Sequence, residues 1–168
     1  MLPSKLKNFN LFANGVSHIH QVPEVALPKI AAAVQGYRGG GMLAELDMDM
    51  GLEKLEMETT FGGLPVNVLR QFGIIGVGAA MLRFAGAYQE EAQGVVLAAE
   101  LVVRGKHVEI DPGTAKTNDD TMWKLKSTLS YLKWTINGSV DVEIDILNNI
   151  YLIGGIDRMA QIRAAIGQ

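Results

Sequence analysis

Residues 42–61 read MLAELDMDMGLEKLEMETTF, two runs in which acidic and apolar residues alternate. Period-two alternation marks a half-buried strand, because successive side chains leave a strand on opposite faces. The first run sets Glu45, Asp47 and Asp49 against Ala44, Leu46 and Met48, and the second sets Glu56 and Glu58 against Leu55, Met57 and Phe61. Like charges two residues apart on a strand lie about 7 Å from each other and repel by roughly 0.6 kcal/mol in water. Burial multiplies that cost. The acids therefore look to water, and the apolar faces look to a core or a partner. With Gly51 as the turn, residues 42–61 are expected to form one acidic β-hairpin. It holds six acids and one lysine, net −5, while the whole chain carries −3, so the acidity is local.

Upstream, residues 1–26 read as an irregular arm or edge strand, with Asn14-Gly15 as a turn and Pro23 and Pro28 as interruptions. Gly39, Gly40 and Gly41 follow a loosely alternating stretch and read as a bend or flexible joint between that stretch and the ribbon. Downstream, Pro65 opens and Gly73 closes a short expected helix whose face is Val68, Leu69 and Phe72. A strand follows from about Met81 to Gln89, then a turn at 92–94, then the unusually long run VVLAAELVVRGKHVEI. A polar loop through Asp120 leads to KLKSTLSYLKWTI, which Asn137-Gly138 joins to VDVEIDIL as a hairpin. Residues 155–167 read as a helix, with Asp157 in its first turn and Ile156, Met159, Ile162 and Ile166 as its stripe. The whole chain, 1–168, reads as one mainly β domain with two short helices.

The composition excludes several classes of function. The chain has no cysteine, hence no disulfide, thiolate nucleophile or thiolate metal site. A net charge of −3 argues against tight nucleic-acid binding, which needs clustered lysine and arginine. No apolar stretch approaches the roughly 20 residues of a membrane helix, and the start lacks the apolar core of a secretory signal, so cytosolic synthesis is expected. There is no nucleophile elbow, phosphate loop, dinucleotide fingerprint or H-E-x-x-H. His18 and His20, two apart, have the spacing of paired metal ligands on a strand, but no third ligand is near, and two surface or interface histidines account for them. His107, Glu109 and Asp111 share an alternation face and would suit a carboxylate-oriented histidine, although a strand running into a turn explains the same residues. Met48, Met50 and Met57 suit either an adaptable contact surface or a core. No cofactor and no enzymatic activity are expected.

Five segments in order, KLKNFNLFANG from Lys5, YRGGGM from Tyr37, RFAGAYQ from Arg83, VVRGKHVEIDPGTAK from Val102 and GIDRMAQIRAAIG from Gly155, resemble the major tail tube protein of contractile-tailed phages and R-type bacteriocins. The resemblance covers essentially the whole chain. It implies a β-sandwich or barrel-like subunit with a flanking helix. Six such subunits form a ring whose hairpins join one continuous barrel, and rings stack into a tube inside a contractile sheath. It implies as partners the subunit itself, the tail sheath, a tape-measure protein in the lumen, and baseplate and tail-terminator proteins. DNA, or ions in a bacteriocin, passes through without tight binding, and the subunit itself does not bind membrane. The particle would be assembled in the host cytoplasm and reside in the virion tail or bacteriocin. Within that frame Glu45, Asp47, Asp49, Glu56, Glu58 and Glu100 are expected to face the lumen, unless Arg83 and Arg104 make the bore mixed. Gly39, Gly40, Gly41, Met48, Met50 and Met57 are expected at the hinge or between subunits. The related tube of bacterial contractile injection or type VI secretion systems is the alternative. A small-ligand β-barrel or a hydrolase using the His107 region is a more distant one.

Overall fold

A computed structural model describes residues 2–168. In chain order it contains β1 (Lys5–Ala13), β2 (Val16–Ser17), β3 (Glu24–Ala26), β4 (Ala32–Tyr37), β5 (Leu46–Leu52), β6 (Glu56–Phe61) and the helical turn α1 (Val66–Leu69). There follow β7 (Ala80–Gln89), β8 (Val96–Asp111), β9 (Trp123–Ile136), β10 (Ser139–Asp145), β11 (Ile150–Ile153), β12 (Ile156–Asp157) and α2 (Ala160–Ile166). The main sheet is antiparallel, in the order β12-β11-β10-β9-β8-β7-β1-β2, with β6 and then β3 joined to β9.

Two long strands make this arrangement possible. β10 pairs with the second half of β9, from Tyr131 to Ile136, while β6 pairs with the first half, from Trp123 to Thr128, on the same side of the strand. The switch occurs at a bulge, where Ser130 has no partner on β8 and its hydroxyl donates to the Val77 carbonyl at 2.8 Å. Bulges bend and twist a strand. The bend turns β6 inward, so that Leu55, Met57 and Phe61 meet Leu11, Leu82, Phe84, Leu101, Val103, Leu125, Leu129, Leu132 and Ile144 in one core. Val68 of α1 is fully buried against it. Phe84 stacks on Phe9 at 5.3 Å and meets Trp134 edge-on at 6.4 Å.

The turns follow the residues that demand them. Asn14-Gly15 and Asn137-Gly138 both have positive φ, as a type I′ hairpin turn requires. Each asparagine also clamps a third strand. Asn14 Oδ1 accepts the Met81 N–H at 2.8 Å and Asn137 Oδ1 accepts the Ala98 N–H at 2.9 Å, while the Asn N–H donates back to the same residue's carbonyl.

Several expectations are corrected. The hairpin over 42–61 does not exist, because β5 pairs with β4 and β6 pairs with β9 and β3. Gly51 does not turn the chain back: it lies within β5 with φ 103°, next to a register irregularity. The triplet Gly39–Gly41 is the tip of the β4–β5 ribbon, where the Met42 N–H donates to the Gly39 carbonyl, and not a joint at its base. Within the expected arm or edge strand, Lys5–Ala13 form β1, whose alternation is masked by a bulge between Leu6 and Asn8. The mid-chain helix is a single turn continued by three-residue bonds to Gln71 and Phe72, so Leu69 and Phe72 stay exposed. The C-terminal helix starts later than expected because Ile156 and Asp157 first pair with β11. There Asp157 anchors the helix from outside it, accepting the Met159 N–H at 3.1 Å and meeting Arg163 at 2.5 Å.

Candidate assembly interface

The β4–β5 ribbon is the most distinctive surface. Among the described residues its strands pair only with each other, and only Leu52 at its base packs against the core. The expected two-faced pattern is present with β4 as the partner. Cross-strand register puts Val34 and Gly36 beside Asp49 and Asp47, and puts Gln35 and Tyr37 beside Met48 and Leu46. A side chain at Gly36 would collide with the Glu45 carboxylate, so glycine leaves room for that acid to lie on the same face. The opposite face is apolar and open: Tyr37 is 58%, Leu46 59% and Met48 48% exposed.

The six acids fall into two groups. Glu56, Glu58 and Glu100 sit on the outer face of the main sheet beside bases of their own chain. Glu56 lies 3.1 Å from Lys54 and 3.6 Å from Lys126, Glu58 3.9 Å from Lys124, and Glu100 3.1 Å from Arg83. The Lys54 hydrogen bond holds the Glu56 carboxyl below the usual range. Arg83 also covers the Phe12 ring at 4.4 Å. Glu45, Asp47 and Asp49 are exposed on the ribbon and, among the described residues, meet no base within ion-pair distance. Of the methionines, Met48 and Met50 are open on the ribbon, whereas Met57 is 2% exposed inside the chain's own core and is closed to any neighbour. Its strand belongs to β6, which the bend at Ser130 folds inward.

A second open surface is a cleft of about 240 Å³ at the end of the inner sheet face, lined by Ser4, Tyr88, Leu97, Ala99, Trp134 and Ile136. A third is the β6–β7 connection, where Leu64, Phe72, Ile74, Ile75 and Val77 are all exposed. A fourth is α2, where Ile162 and Ile166 are exposed; its Arg163 donates to the Asn149 carbonyl at 3.0 Å in the β10–β11 turn, whose Ile146 and Leu147 are exposed too. Sequence patterning missed the cleft because its lining comes from Ser4 and from strands far apart in the chain, β7, β8 and β9.

The histidines do not assemble a site. His18 is buried edge-on against Phe61 at 5.4 Å with Nδ1 2.9 Å from Gln21 Oε1, whereas His20 is exposed with φ 67°, so they share no face. The surface reading of His18 is thus corrected. Among the described residues no cluster of three His, Asp or Glu side chains could hold a metal ion. His107 points inward, with Nδ1 2.8 Å from Ser127 Oγ, while a bulge at Val108 turns Glu109 outward beside Lys126. That bulge dissolves the shared face expected for His107, Glu109 and Asp111.

Burial pushes the His107 imidazole below its ordinary value of 6.5. The unfolded chain therefore takes up the proton first as pH falls, and stability that is complete above 6.5 is lost progressively below it. His107→Gln should flatten this acid limb. Thermal unfolding at pH 7.5 and 5 should show a smaller drop for the variant than for the parent, and equal drops would remove His107 from the account.

The family model for phage tail tube protein FII matches residues 3–167. The chain belongs to the phage tail tube protein family. It is 40% identical to the tail tube protein of Escherichia phage P2, over 99% of this chain and 98% of that one. It is 34% identical to the major tail tube protein of Serratia phage KSP20, over 89% and 87%. In fold, this tail tube protein resembles a chain of the sheath-tube complex of the PVC extracellular contractile injection system, with TM-score 0.58, 13% identity, and 79% and 91% of the two chains covered. It also resembles a chain of that system's sheath/tube terminator, with TM-score 0.60, 11% identity, and 80% and 98% covered. The mainly β architecture expected for a tail tube protein is therefore the one found, and its role is structural.

Proposed function

We propose that six copies of this tail tube protein close into a ring, that rings stack into a hollow tube within a contractile sheath, and that the tube conducts DNA, or ions in a headless bacteriocin. The observation that carries this reading is the ribbon, which leaves the body with an apolar face that its own chain does not cover. Closing a ring by head-to-tail contacts uses two different surfaces of each subunit, and stacking uses two more. The four open apolar surfaces supply that number. No catalytic role is assigned. The sheath, a tube terminator and a baseplate are inferred as partners from the assemblies that hold the related folds. A tape-measure protein in the bore and synthesis in the host cytoplasm follow from the family reading. The higher identity to phage tail tubes than to injection-system chains favours the phage-type tube over the alternative.

Within this reading Glu45, Asp47, Asp49, Glu56, Glu58 and Glu100 face the bore. Glu56, Glu58 and Glu100 are offset by their own lysines and arginine, so the wall there is mixed, and the ribbon acids supply its net negative charge. That charge repels a DNA backbone only within about 8 Å of the wall at physiological salt. Electron microscopy of the purified protein should show rings or hollow tubes, and a persistently single species would refute the assembly. In a DNA-carrying parent particle, Glu45→Gln with Asp47→Asn and Asp49→Asn should leave tubes intact and slow DNA delivery severalfold. Unchanged delivery would remove these acids from the bore.

A further inference from the structure

With no cysteine in the chain, its only sulfur is the thioether of methionine, which oxidants convert to the sulfoxide. Exposure separates the described methionines. Met50 is 63% and Met48 48% exposed, Met122 in the polar loop is 38% exposed, and Met57 is 2% exposed in the core. Met42, Met81 and Met159 are half-buried, and the Met42 sulfur at the ribbon tip accepts the Gly39 N–H at 3.1 Å, which engages one of its lone pairs. The two most open thioethers therefore stand together, two residues apart on β5, where strand alternation gives them one face. Leu46 shares that face, with Tyr37 beside it on β4.

The residues between them select the oxidant. Asp47 and Asp49 alternate with the two methionines, are exposed, and among the described residues meet no base within ion-pair distance. Their field repels an anionic oxidant, whereas hydrogen peroxide is neutral and reaches the sulfur. One peroxide oxygen bonds to the sulfur as the O–O bond breaks. The sulfur gives up two electrons, and the second oxygen leaves with both protons as water. The sulfoxide formed is polar and accepts hydrogen bonds. Water satisfies it on a free ribbon, but an apolar covering surface would strip that water away. Such a penalty weakens association by about tenfold or more.

We propose that Met48 and Met50 are an oxidative modification site that controls entry into the ring. Hydrogen peroxide oxidises them in the free subunit, the sulfoxides keep that subunit out of assembly, and incorporation closes the site to oxidant. This inference rests on the reading that another copy covers the ribbon's apolar face. Neither methionine belongs to the chain's own core, so oxidation leaves the domain folded. The change is reversible by methionine sulfoxide reductase: two thiols become a disulfide, supplying two electrons and two protons, and the oxygen leaves as water.

The test treats single subunits and tubes of the purified protein with hydrogen peroxide and maps the sulfoxides by mass spectrometry of peptides. Met48 and Met50 should oxidise first in the single subunit, well ahead of Met57, and about tenfold more slowly in tubes. Oxidised subunits should keep the parental urea unfolding midpoint, yet need about tenfold more protein to form rings or tubes by sedimentation and electron microscopy. Methionine sulfoxide reductase with dithiothreitol should restore assembly. Met48→Leu/Met50→Leu, a volume-conserving exchange, should assemble like the parent and ignore peroxide, while Met122→Leu should remain as sensitive as the parent. Should the double leucine variant not assemble untreated, reversal by the reductase together with the sulfoxide map decides the question. If the parent forms tubes but oxidation at Met48 and Met50 leaves its assembly unchanged, or the double leucine variant loses assembly to peroxide as the parent does, the site assignment is wrong and the ring reading stands. If the untreated parent forms no ring or tube under any condition, the ring reading fails and this inference with it.

Discussion

Gly105→Ala is expected to abolish the native fold, or at least to cost more than about 3 kcal/mol, the upper end of ordinary overpacking. A Cβ at this position would overlap the Thr128 carbonyl oxygen and lie 2.8 Å from the Thr128 carbonyl carbon and 2.9 Å from Leu129 Cα. All three are backbone atoms, held by the register of β8 against β9, so no rotamer change can make room. The site adjoins the bulge at Ser130, where β9 passes from β6 to β10, and a shift there disturbs both halves of the core. A domain of this size has only about 5–15 kcal/mol in total. Gly63→Ala is the control: nothing lies within 4 Å of its added Cβ, and a change within about 0.5 kcal/mol is expected. Urea unfolding followed by the fluorescence of Trp123 and Trp134 measures both. A soluble Gly105→Ala protein of parental stability would mean that the two long strands approach less closely than described.

Removing the ribbon should have the opposite profile, with stability kept and assembly lost. Ala32 pairs with Leu52, and the Glu53 N–H donates to the Ala31 carbonyl at 2.8 Å, so the two ends stand side by side and a short Asn-Gly link can replace residues 33–51. The excised part contributes no fully buried side chain to the core. Unfolding free energy should therefore change by no more than about 1 kcal/mol. Rings and tubes should disappear entirely. A shortened chain that still builds tubes would make the ribbon incidental, and one that fails to fold would make it part of the domain.

The legible parts of the fold were those set by neighbours in sequence. Alternation located β7, β8, β9 and β10, and the Asn-Gly pair fixed the β9–β10 turn, because strand period and turn chemistry are local properties. The split of residues 42–61 was not legible. Residues 46–52 and 56–61 alternate alike, yet one strand lies in solvent beside the weakly patterned Ala32–Tyr37 and the other beside Trp123–Thr128. Which strand pairs with which is decided by distant contacts. Bulges were invisible for a similar reason. One extra residue at Val108 or Ser130 inverts every later side chain, and nothing in the composition of β8 or β9 announces it. Of the candidate surface, the two-faced character of the ribbon and the alternative of a mixed bore raised by Arg83 were readable from residue order. The ion pairs that offset Glu56, Glu58 and Glu100 required the register.

Amide hydrogen exchange tests most directly the claim that the ribbon is covered by another copy. It compares the protein diluted to single subunits with the same protein assembled into tubes. The account predicts that amides of Leu46–Leu52 exchange within the earliest time points in the single subunit and become strongly protected in the tube, while the core of β8 and β9 is protected in both. Tubes in which the ribbon exchanges as fast as in the free subunit would contradict it.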